Sequence, residues 1–146
     1  MSMPEDIREF NHGVIEEFRA TGGAMSGERK WERPLVLLTT TGAKSGRPHT
    51  VPLGDLSDEP RRVIVVGAFL RGSKNASWYT NLVANPAVVL ERPGADGAVE
   101  RIETTAVVPE GADRERIVTG LRKLGPQVDD FEAQTGRPIP IAVLDC

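Results

Sequence analysis

The twelve residues Thr39-Thr40-Thr41-Gly42-Ala43-Lys44-Ser45-Gly46-Arg47-Pro48-His49-Thr50 gather hydroxyls, two glycines and three groups able to carry positive charge. That is anion-binding chemistry. Glycine lets backbone amides converge, Lys44 supplies a point charge, and Arg47 offers a planar fork to phosphate or carboxylate oxygens. A solvated hairpin turn has the same composition, so the residues alone leave both readings open. A second candidate is Gly72-Ser73-Lys74-Asn75, which leads into a helix carrying Trp78, Tyr79 and Asn81. A helix N-terminus beside Lys74 could hold another anionic group. Equally, Trp78 and Leu82, four residues apart, form the core face of a short helix.

Other chemistries find little support. Gly42-Ala43-Lys44-Ser45 imitates the end of a P-loop, but alanine occupies the second glycine position and Leu38 the first. In Gly67 to Lys74 the order Ser73-Lys74 is reversed. No G-x-G-x-x-G is present, which speaks against NAD as the primary cofactor. The one cysteine, Cys146, cannot form an intrachain disulfide and is a poor candidate for a pocket thiol. His12 and His49 are far apart in sequence and belong to no ligand pair, so no metal is expected and each reads as a surface or turn residue rather than a base. No serine–histidine–acid set can be assembled, so redox chemistry would have to come from a bound cofactor.

The elements that must position these residues follow from the pattern. Ile7, Phe10, Val14, Ile15 and Phe18 give Glu5 to Ala20 the stripe of an amphipathic helix, expected to pack on a sheet. Strands are expected at Pro34 to Thr41, His49 to Leu56 and Arg62 to Ala68, and a hairpin at Ala87 to Arg92 with Val99 to Val108. Helices are expected at Ala76 to Val83 with Asn75 as its cap, at Ala112 to Leu124, and at Val128 to Gln134. Ile139 to Leu144 reads as an edge strand, because Pro140 cannot donate to a ladder. Six short strands bracketed by helices predict an α+β fold, an antiparallel barrel with packed helices, in one domain over 1–146. A net charge of −3 argues against nucleic acid. The absence of a signal pattern or a long apolar run predicts a cytoplasmic protein.

Three blocks are more specific. They are Leu37-Leu38-Thr39-Thr40-Thr41-Gly42 with Lys44-Ser45-Gly46-Arg47-Pro48 and Pro52-Leu53; Trp78-Tyr79 with Asn81-Leu82 and Ala84-Asn85-Pro86; and Thr135-Gly136-Arg137-Pro138-Ile139-Pro140 with Val143-Leu144. In this order and spacing the chain resembles the deazaflavin-dependent nitroreductase and quinone reductase family. Its members bind coenzyme F420 in a six-stranded split β-barrel related to the FMN-binding pyridoxamine-oxidase fold.

The resemblance implies that Lys44, Ser45 and Arg47 bind the cofactor's phosphate and acidic tail, with Thr40 and His49 in the same segment and Thr50, Val51 and Pro52 along the ring. The loop from Gly67 to Asn75, with Ala68, Arg71, Lys74 and Asn75, would close over the cofactor, braced by Trp78 and Asn81. Ala43 and His49 stand where the family commonly has arginine, leaving the tail site less permanent charge and its grip pH-dependent. Ala68-Phe69-Leu70-Arg71 replaces a smaller, glycine-rich run, and Phe131 stands where tyrosine is common. The implied reaction is hydride transfer to a quinone, nitroaromatic or activated alkene, with Tyr79 or Ser73 as candidate proton donors. A non-enzymatic carrier, or an FMN- or haem-binding relative, is the alternative. A monomer or homodimer, with at most peripheral membrane contact, is expected.

Overall fold

Strand β1 (Leu35–Thr41) sends Leu35 and Leu37 to one side of the sheet and Val36 and Leu38 to the other, and all four are buried. Successive strand side chains point to opposite faces, so this unbroken apolar run must be covered on both sides. The computed structural model describes residues 5–24, 34–57, 59, 61–66 and 77–146, the side chains of 5–10 and 127 excepted. Within these, β2 is Pro48–Gly54, β3 Arg62–Val66, β4 Ala87–Pro93, β5 Val99–Val107 and β6 Ile141–Asp145. The helices are α1 (Glu5–Thr21), α2 (Ser77–Ala84), α3 (Gly111–Leu124) and α4 (Gln127–Thr135). The strands form one curled sheet in the order β2-β1-β4-β5-β6-β3, antiparallel at every pairing, the split β-barrel expected from the sequence.

Three apolar clusters hold it together. Inside the barrel, Val36 and Leu38 meet Val63 and Val65, Leu90, and Leu144, and α2 inserts Trp78 and Leu82 among them. Outside, α1 lays Val14 and Phe18 on Leu35 and Leu37. On the opposite flank α3 and α4 bring Leu121, Val128 and Phe131 onto Ile64, Ile141 and Val143. Burial of each such side chain contributes about 1.5–3 kcal/mol, so the position of α1 is set by its Val14–Phe18 stripe.

The expected strand boundaries shift where side chains replace the ladder. β2 ends at Gly54 because Asp55 Oδ1 accepts the N–H groups of Ser57 (2.9 Å) and Ile64 (3.2 Å), turning the chain toward β3. The C-terminal strand is not an edge strand. β6 starts at Ile141, after Pro140, and pairs on both sides, with β5 and with β3. The proline lies outside the ladder, where its missing N–H removes no strand bond. Residues 67 and 68 of the expected third strand, and Asn75 as helix cap, lie outside the described residues.

Candidate functional site

The turn between β1 and β2 is built by its own hydrogen bonds. Gly42 N–H donates to Arg47 O at 2.8 Å, Gly46 N–H to Gly42 O at 3.0 Å, and Gly46 takes the left-handed φ of 67° that glycine adopts without strain. Ser45 Oγ accepts the Arg47 N–H and shares a hydrogen bond with His49 Nε2, both at 3.2 Å. A Cβ on Gly42 would collide with Ser45 Oγ and lie 3.0 Å from His49 Nε2, so glycine is needed there for close approach. Behind the turn, Asn81 of α2 accepts the Ala43 N–H (3.0 Å) and donates to Thr40 Oγ1 (3.2 Å). Asn85 donates to Thr41 O (3.4 Å), and Thr39 and Thr50 join their hydroxyls across the strand pair at 2.7 Å.

This turn forms one end of a cleft of about 1070 Å³. Lys44, Ser45 and His49 line its polar end; Thr50 and Val51 continue along β2. From α2 come Trp78 and Asn81, and from α1 come Asn11, His12 and Ile15. The cleft therefore joins a cationic, hydroxyl-rich turn to a wall containing Ile15, Val51 and the indole of Trp78. Its volume is about that of the largest small-molecule sites. A smaller groove of about 370 Å³ lies between α3 and β3–β6. There Arg116 is paired with Asp113, and Arg62 stands 4.0 Å from Asp145, so its cations are already partnered.

The structure thus brings together Lys44, Ser45, His49, Thr50, Val51 and Trp78. Thr40 is buried behind the turn, where it bonds Asn81. The side chain of Arg47 is exposed, Pro52 is buried opposite Leu37, and neither lines the cleft. Tyr79, a candidate proton donor, is also not in the cleft wall. It packs against the barrel core, edge-on to Trp78 with ring centroids 6.0 Å apart. Burial raises its pKa, and the Arg114 guanidinium offsets this in part. Ala68, Arg71, Ser73, Lys74 and Asn75 lie outside the described residues, as does the loop that Trp78 and Asn81 were expected to brace.

His12 was read from sequence as a bystander on the polar side of the first helix. It is exposed, as expected, but it lines the cleft and pairs with Glu16 at 3.0 Å. Helical phase puts positions 11 and 15 beside the Val14–Phe18 stripe but carries position 12 well past it, so no signal in the sequence pointed to His12. Among the described residues no group of histidine, cysteine, aspartate and glutamate could hold a metal.

Residues 11–145 match the family model described as F420H(2)-dependent quinone reductase. An F420H(2)-dependent quinone reductase of Mycobacterium tuberculosis is 30% identical over 132 residues, covering 87% of this chain and 83% of the relative. A solved F420-H2 dependent reductase is 34% identical with a TM-score of 0.63, covering 77% of this chain and 95% of that one. Another solved structure, described as a domain-swapped dimer, is 31% identical with a TM-score of 0.65, covering 97% of this chain and 98% of that one.

Proposed function

The chain belongs to the F420H(2)-dependent quinone reductase family, and from that premise we propose that its large cleft binds coenzyme F420 for the reduction of a quinone. Lys44, Ser45 and His49 hold the anionic tail; Thr50, Val51 and Trp78 flank the ring. The exposed Arg47 adds long-range attraction, and Ala68, Arg71, Lys74 and Asn75, which lie outside the described residues, are assigned to the cofactor by the family resemblance. The single observation behind this reading is the polarity of one continuous cleft, charged and hydroxylic at the β1–β2 turn and apolar beside Trp78.

When bound in its reduced form, the cofactor supplies the hydride. The chain's own residues bind and orient. Asn81 fixes the turn by holding Ala43 and Thr40, so Lys44 and Ser45 meet the tail on a backbone already in place, which lowers the ordering cost of binding. Val51 and Trp78 exclude water from one side of the ring and leave the α1 side, with Ile15, to the acceptor. Nitro compounds and activated alkenes are further acceptors in this reading. Residues 1–146 act as one cytoplasmic domain, monomeric or homodimeric. No helix among the described residues is long and apolar enough to cross a membrane, and any membrane contact is peripheral.

The test is titration with oxidised F420, FMN and haem, followed by F420H2 oxidation with a soluble quinone. Saturable F420 binding is expected, with Lys44→Ala weakening it by about 1.5–3 kcal/mol, the worth of a hydrogen bond to a charged group. Binding of FMN or haem but not of F420 would overturn the reading.

A further inference from the structure

The cleft wall formed by α1 carries an acid–base pair that the tail-binding turn does not use. Val14 and Phe18 set α1 against β1, and Asn11, His12 and Ile15 of that helix line the cleft. His12 Nε2 is 3.0 Å from Glu16 Oε1, one turn further on. The other titratable groups lining the cleft among the described residues are Lys44 and His49, both in the turn, where His49 Nε2 is engaged by Ser45. α2 contributes only Ser77, Trp78, Thr80 and Asn81, none of which titrates usefully. On α1 itself Arg19 is committed to Glu91, and the half-buried Glu17 has its own partners. His12 is therefore the titratable group that α1 brings to the cleft.

We propose that His12 is the proton donor to the quinone and that Glu16 is its positioning residue. The proposal rests on the F420-dependent reading above. Reduction of a quinone to a hydroquinone requires two electrons and two hydrogens. The reduced cofactor would supply a hydride, two electrons with one hydrogen, its carbon–hydrogen bond breaking as an O–H bond forms at one quinone oxygen. The charge then falls on the other quinone oxygen, where the second O–H bond forms as the Nδ1–H bond of the His12 imidazolium breaks. The cofactor's ring proton leaves to solvent, and solvent reprotonates His12. Glu16, by accepting Nε2–H, orients the ring and leaves Nδ1–H as the proton to transfer.

The test compares the unsubstituted protein with His12→Gln and Glu16→Gln in three measurements: F420 affinity, pH dependence of kcat with 1,4-naphthoquinone, and imidazole 1H–15N spectra of the oxidised-F420 complex. We expect His12→Gln to keep F420 affinity within about twofold and to lose kcat by about 100-fold, in the range of general acid catalysis. Its kcat should no longer fall with rising pH across the imidazole range. Glu16→Gln should lose less and move the His12 Nε2 resonance, the nitrogen that Glu16 contacts. Naphthoquinone should shift the His12 Nδ1 resonance of the unreacting complex, identified by its absence in His12→Gln. A His12→Gln enzyme with unchanged kcat and pH profile would overturn the proposal, as would loss of F420 affinity matching the loss of kcat, which would make His12 part of the cofactor grip. Failure of the unsubstituted protein to bind F420 would instead overturn the parent reading and this proposal with it.

Discussion

Asn81 Oδ1 accepts the backbone N–H of Ala43 at 3.0 Å, tying α2 to the turn that carries Lys44. The amide nitrogen donates to the buried Thr40 Oγ1 at 3.2 Å, so one side chain sets the turn from behind. Asn81→Leu removes both bonds and should cost about 1–3 kcal/mol for the polar groups left unsatisfied, read by urea denaturation. Asn81→Asp keeps the acceptor for Ala43 but puts a carboxylate under an anion site. Its stability should fall less than that of Asn81→Leu, while F420 affinity falls by about tenfold or more, the equivalent of one hydrogen bond of ordinary strength. Wild-type affinity in Asn81→Asp would separate this amide from the site.

Tyr79 is the chain's one tyrosine, so tyrosinate absorbance reports it alone. Burial raises its pKa above the usual value of about 10, with Arg114 acting the other way. The folded state thus prefers the protonated phenol. Its contribution is intact below the unfolded pKa and is lost as pH rises through the folded one. The absorbance midpoint should lie higher in the native protein than in denaturant, and Tyr79→Phe should lose less stability than wild type above about pH 10. Equal midpoints would contradict the burial of this hydroxyl.

How far the sequence reached is clearest in α1 and β6. The stripe through Val14 and Phe18 predicted a helix on a sheet, and the apolar run within Pro34 to Thr41 predicted a strand, because apolar patterning encodes burial directly. Pro140 misled, because a proline next to a strand and a proline within one look alike until the register is known. In the site, the Lys44 turn was legible since its chemistry is contiguous. His12 was not, because its place beside the cleft depends on how α1 is seated against β1, a relation between two segments that are not contiguous in the chain. Arg47 and Tyr79 do not line the cleft: the Arg47 side chain is exposed in the turn, and Tyr79 packs against the barrel core.

Arg19 forks around Glu91, with Nε to Oε1 at 2.9 Å and Nη2 to Oε2 at 2.8 Å, locking the end of α1 to β4. Glu91 is 8% exposed, whereas half of the Arg19 side chain faces solvent. A double-mutant cycle with Arg19→Ala and Glu91→Ala should give a coupling of about 1–2 kcal/mol, between the limits for exposed and buried pairs. Because this pair anchors the helix that carries His12, Arg19→Ala should also raise the KM for the quinone more than it weakens F420 binding. A coupling near zero would mean that the Val14–Phe18 contact alone holds the helix.

Gly42 and Gly46 flank the same turn yet are glycines for different reasons, and their alanine variants should behave oppositely. In Gly42→Ala the new methyl group enters the space of Ser45 Oγ and lies 3.0 Å from His49 Nε2. Ser45 cannot simply swing away, since its oxygen also accepts the Arg47 N–H. The Ser45–His49 contact should break, and F420 affinity should fall by about tenfold, one hydrogen-bond equivalent at the charged end of the site, while unfolding free energy changes little. Gly46→Ala meets no atom within 4 Å, but its φ of 67° is unfavourable for any Cβ-bearing residue. It should lose about 1–2 kcal/mol of stability and keep most of its affinity, because the side chains that meet the tail remain in place. Denaturation curves and F420 titrations of the two proteins separate these effects. Equal loss of affinity in both would mean that the backbone path of the turn, rather than the Ser45–His49 contact, sets the grip on the cofactor.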